Sequence, residues 1–158
     1  MPKRTPAQIA QAEPRLVRQE RGLDKGTVQE LLAAGVQKFE DAKRKENSGP
    51  TRLEAAYDAM LFCALAIFGA RGYRVVAEKG HHTVAFEGMA AELQLAQAHI
   101  DQIEAVQEIR HTKYTGLLKV SDADMKIALA QAQRVLNETE AWFQANRPGL
   151  LKTDKRQG

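Results

Sequence analysis

Apolar residues recur at intervals of three and four along most of the chain, and nowhere do they alternate with period two over a useful length. This is the pattern of amphipathic helices rather than strands. Val28, Leu31, Leu32, Val36 and Phe39 define a first helix over about residues 27–46, which packs on one face and ends in the charged run DAKRKEN. Leu53, Tyr57, Met60, Leu61, Ala64, Leu65 and Phe68 define a second over about 51–70. It carries almost no charge after Asp58, so it takes the centre of the fold. From His81 to about Tyr114, Phe86, Met89, Leu93, Ala96, Ile100, Ile103 and Val106 keep helical spacing without an internal proline. That stretch is one long helix, or two stacked end to end with a bend near 94–99. Met125, Leu129, Ala132, Leu136, Thr139 and Phe143 form a bundle seam over about 122–146, closed by Arg147-Pro148-Gly149.

Three helix starts are marked by a hydroxyl residue three positions ahead of a carboxylate: Thr27 with Glu30, Thr51 with Glu54, and Ser121 with Asp124. In such capping boxes each side chain satisfies the other residue's free backbone donor. RGYRVVAEKG reads as a connector rather than a strand, because Glu78, Lys79 and Gly80 stop its short apolar patch. The expected fold is therefore all-α, an up-and-down antiparallel bundle of four or five helices.

A length of 158 residues suits one domain. Charge divides it further. Residues 1–22 and 147–158 each carry +3 of the chain's net +3, leaving −3 for residues 23–146. The reading is a basic, loosely ordered N-terminal extension over 1–22 with a short helix around Pro6 to Glu13, a bundle over 23–146, and a basic tail over 147–158 that is mobile beyond Gly149. Cys63 is the sole cysteine and lies in the apolar run MLFCALAIF, which excludes an internal disulfide and points to a buried, inert thiol. The apolar run over about 59–70 is shorter than the ~20 residues of a spanning helix, and no signal-like segment opens the chain. A soluble, cytoplasmic protein without a membrane partner is expected.

The candidate chemistry lies in QEIRHTKYTG, residues 107–116, where Arg110, His111 and Tyr114 fall within about one turn near a helix end. Arg110 can fork two donors onto a phosphate, Lys113 adds charge, and Tyr114 lies one turn from Arg110 on the same side. His111, as a helical neighbour of Arg110, diverges from it by about 100° and is expected to turn away. His81 and His82 are also neighbours that point apart, and no i, i+4 histidine pair or Glu-x-x-His pattern is present, so neither a metal nor another cofactor is expected. Tyr57, Phe62, Phe68, Trp142 and Phe143 read as core.

Taken in order, DAKRKENSGP, TRLEAAYDAML, GYR, GHH and the Arg110 to Tyr114 cluster resemble the HEPN superfamily of prokaryotic helical bundles, over about residues 27–143. The resemblance implies a homodimer, and association with toxin–antitoxin, defence or RNA-processing systems, with RNA and a cognate antitoxin or nucleotidyltransferase as partners. Active members are metal-independent endoribonucleases, whose signature is an arginine followed four to six residues later by a histidine. The histidine acts as general base or acid, and the arginine stabilises charge on the phosphate. Arg110 matches the arginine and His111 the polar residue after it, but Tyr114, Thr115 and Gly116 occupy the places where the histidine is expected. Arg74 and His81, with six residues between them, come close to this signature but in the wrong place, the connector, where Gly80 gives a turn and His81 or His82 caps the helix or bonds across the bundle. The expectation is an RNA-binding or regulatory protein with a degenerate ribonuclease site; an active endoribonuclease and a non-catalytic dimeric scaffold are the alternatives.

Overall fold

The structure is a computed structural model that describes residues 3–21, 23–113 and 119–151, the side chain of Lys113 excepted. Among these residues the order is α1 (Pro6–Ala12), β1 (Val17–Gln19), α2 (Lys25–Lys43), α3 (Gly49–Ala70), β2 (Tyr73–Val75), α4 (His81–Leu93), α5 (Gln97–Lys113) and α6 (Asp122–Asn146), with a 3-10 turn over Pro148–Leu150. The fold is an all-α bundle. α3 is its axis, packed against α2, α4, α5 and α6. Leu53, Ala56, Tyr57, Met60, Cys63, Ala64, Ile67 and Phe68 are all buried, because a helix that is apolar nearly all round must be surrounded on every side. By length and composition α3, at 22 residues, would also suffice to cross a membrane, longer than the apolar run alone suggests; 67% of its most apolar stretch is buried inside the bundle.

The helix starts are shifted by competition between caps. Asp24 caps α2 by accepting from the Thr27 backbone N–H at 2.7 Å, and Ser48 caps α3 by accepting from the Thr51 N–H at 3.3 Å. Thr27 and Thr51 are thus the residues being capped, and Glu54 has no capping duty. Ser121 caps α6 as the sequence indicates, accepting from the Asp124 N–H at 3.0 Å. Between α4 and α5 the chain breaks at Gln94, which adopts φ +53°, ψ +45° while its N–H bonds the Ala91 carbonyl and that of Leu95 bonds the Ala90 carbonyl. This is a Schellman ending with glutamine in the place glycine usually takes. Two stacked helices result.

Two expectations, about the connector and the N-terminal segment, are corrected. Tyr73–Val75 is a short strand, paired antiparallel with β1 in the register Val17 with Val75, Arg18 with Arg74 and Gln19 with Tyr73. Residues 3–21 are packed rather than loose: Ile9, Leu16 and Val17 are buried in a second small core with Phe68 and Val84. Strand pairing supplies what a three-residue apolar patch lacks alone, a partner for its backbone groups. Residues 152–158, most of the expected basic tail, lie outside the described residues.

Candidate functional site

The ends of α3, α4 and α5 enclose a groove of about 640 Å³, whose lining includes Tyr57, Lys79, His81, His82, Arg110 and His111. α5 brings Arg110 there because that residue continues the stripe of Ile103 and Val106, seven and four residues earlier, which is buried in the core and faces α3. Its guanidinium meets Glu54, the residue released from capping at the start of α3. Arg110 Nε lies 3.0 Å from Glu54 Oε2 and Nη2 lies 3.0 Å from Oε1, a two-point ion pair in which both side chains are about three-quarters buried. The guanidinium carbon sits 4.3 Å from the centroid of the Tyr57 ring, a cation–π contact one turn along α3 from Glu54.

Tyr57 continues the chain of contacts to α4. Its hydroxyl shares a hydrogen bond of 2.8 Å with His82 Nδ1, and the Tyr57 ring stands edge-on to Phe86 in the core. Burial raises the Tyr57 hydroxyl above its ordinary pKa despite the nearby Arg110 charge. Burial, followed by repulsion from His81 and Arg110, lowers His82 to about 4, so its ring is neutral at physiological pH. His81 packs beside it with ring centroids 4.1 Å apart. Its Nδ1 lies 2.6 Å from the Glu78 carbonyl oxygen, which can only accept, so Nδ1 carries the proton and Nε2 is the acceptor of the neutral ring. Among the described residues no side chain caps the N-terminus of α4, which opens at Gly80 with φ +91°.

The electrostatics of the groove are mixed. Lys79 and the first turn of α4 form a positive lip, whereas Glu104 and Glu108 on α5 and Glu78 in the connector are acidic. Among the described residues no group of three or more histidine, cysteine, aspartate or glutamate side chains is placed to hold a metal.

The structure joins two clusters that the sequence presents separately. Arg110 and His111 share the groove with His81 and His82, although the chain separates the pairs by a helix and a half. His111 is exposed and lines the groove, contrary to the expectation that it turns away. Arg74 is not part of it; it is exposed on β2, 3.8 Å from Glu20. Tyr114 lies outside the described residues, as does the Lys113 side chain, so their expected part in a phosphate site stays an expectation. Sequence reasoning missed Glu54, Tyr57 and Lys79. Glu54 was hidden by a plausible cap and Tyr57 by the apolar stripe it belongs to; their i, i+3 spacing on α3 was the available signal.

No protein-family model matches the chain, and no curated protein or solved structure does either.

Proposed function

We propose that this chain is a HEPN-like helical bundle acting as an RNA-binding or regulatory component of a toxin–antitoxin or defence module, with a degenerate ribonuclease site. The observation that carries the reading is the engagement of Arg110. Its fork is filled by Glu54 and its face by Tyr57, so the cation that should meet a phosphate is already compensated. His82, the imidazole linked to it through Tyr57, has a pKa of about 4, too low for a general base working near neutrality. Cleavage loses both partners. Binding is supported by the other lip, where the uncapped first turn of α4 stands beside Lys79 and His81; helix N-termini with adjacent cations attract phosphate. Glu104 and Glu108 on the facing helix limit that attraction.

A metal-independent endoribonuclease is the second reading, favoured by one observation. His81 and His111 line the groove together with Lys79 and Arg110, which supplies histidines in space where the signature lacks one in sequence. The scaffold reading draws on the same Arg110 to Glu54 pair as a tie between α5 and α3. With the favoured reading go a cytoplasmic home, a two-fold homodimer, and a cognate antitoxin or nucleotidyltransferase partner. The test is to incubate purified protein with labelled single-stranded RNA in chelator. Binding weakened by Lys79→Ala, without cleavage, supports the proposal. Cleavage lost in His81→Ala favours the second reading, and absence of both leaves the scaffold.

A further inference from the structure

The N-terminal arm, residues 3–19, grips α4 and the connector in front of it at both ends. Lys3 Nζ donates to the Leu95 carbonyl at 3.0 Å, beyond the C-terminal end of α4. Arg4 places three donors on one carboxylate, that of Glu87: its backbone N–H at 3.0 Å from Oε2, Nη2 at 3.0 Å from Oε1, and Nε on Oε2. Glu87 is 1% exposed. Arg4 also meets Glu13 at 2.6 Å, which ties the start of the arm to the end of α1. Ile9 packs over the neighbouring Gly88 backbone, where a Cβ would come within 3.4 Å of Ile9 Cδ1. Further along, β1 pairs with β2, and the Val76 N–H donates to the Leu16 carbonyl at 2.7 Å.

These contacts matter because the lip of the groove is otherwise held by short-range bonds within the connector and by the single bond of His82 to Tyr57. Residues 77–80 are exposed, the connector turns through two glycines at positive φ, Gly72 and Gly80, and among the described residues no side chain caps the start of α4. His81 and His82 therefore take their position from the body of α4 and from the connector. The arm holds both. Burying a carboxylate is costly unless donors satisfy it, and Arg4 brings three of them to Glu87 from outside α4.

We infer that the N-terminal arm is a clamp for the candidate groove, in which Arg4 and Glu87 are positioning residues that hold His81 and His82 against Tyr57 and Arg110. That the clamped groove binds RNA rests on the function proposed above; the clamp itself does not. Full-length Arg4→Ala and Glu87→Gln proteins test it. Arg4→Ala leaves a buried carboxylate without its donors, whereas Glu87→Gln keeps the side-chain shape and leaves Arg4 at the surface, so the second variant decides if the first does not fold. The readouts are the imidazole nitrogen NMR shifts of His82 at neutral pH and amide hydrogen exchange along each helix. Both variants are expected to shift the His82 signals as its bond to Tyr57 is lost, and to speed exchange in α4 roughly tenfold relative to α2 and α6, since opening becomes local. Unchanged His82 signals with exchange raised equally in every helix would overturn the clamp and leave a general stabilising contact. Shifted His82 signals in the variants, with no RNA binding by any of the proteins including wild type, would uphold the clamp and remove the proposed function.

Discussion

Arg110 on α5 and Glu54 on α3 are joined by a two-point ion pair, with Nε and Nη2 each 3.0 Å from a different carboxylate oxygen. Ser48 makes this possible by capping α3 in Glu54's place. The pair sits on the Tyr57 ring, and Tyr57 passes the contact to His82. One polar chain thus crosses three helices at the mouth of the groove.

Breaking that chain at Arg110 should destabilise the bundle. The pair is neither fully exposed nor fully buried, so Arg110→Ala is expected to cost about 1–3 kcal/mol, between the values typical of surface and buried pairs. Urea unfolding followed by circular dichroism measures it. A change within about 0.5 kcal/mol, as for an ordinary surface site, would show that the pair holds nothing together.

Acid should weaken the fold through His82. Its folded pKa is lowered to about 4 from the ordinary 6.5, so between these values the unfolded chain takes up a proton that the folded protein excludes. The contribution of neutral His82 is complete above about pH 6.5 and is lost as pH falls towards 4. The urea midpoint of wild type should fall more between pH 7 and pH 5 than that of His82→Gln. Equal losses in the two proteins would contradict this account.

Much of the bundle is legible in the sequence because helical periodicity is local: Val28 to Phe39 or Met125 to Phe143 state a buried face without reference to any other segment. What is missed depends on distant partners. β2 needs β1, more than fifty positions away, and Ile9, Leu16 and Val17 are too sparse to announce a core until Phe68 and Val84 close over them. The capping error has the same character at short range, since Asp24 and Ser48 outcompete threonines that fit the rule equally well. In the site, Arg110 and the histidines were legible as residue types. Their meeting was not, because it is made by three helices and a connector.

Close packing makes Gly88 a second point of failure. A Cβ there would overlap the ring of Phe68, itself 1% exposed and held in the small N-terminal core. Gly88→Ala should therefore destabilise by about 2 kcal/mol, as overpacking of a rigid core does. A thermal scan checks this; an unchanged or higher melting temperature would mean that Phe68 can move aside.

The acidic side of the groove should oppose RNA. Replacing Glu104 and Glu108 together by glutamine removes two negative charges from α5 while keeping side-chain size. Affinity for short single-stranded RNA should rise, and the gain should shrink with added salt as screening takes over. Unchanged affinity in titrations at low salt would place the bound strand elsewhere on the protein.

The most direct test of the central claim is fluorescence anisotropy with a labelled single-stranded RNA in chelator, followed by electrophoresis of the same sample. The account predicts that wild type binds, that Lys79→Ala binds more weakly, and that the recovered RNA is intact in every case. Intact RNA with no binding, or RNA cut by wild type but not by Arg110→Ala, would contradict it.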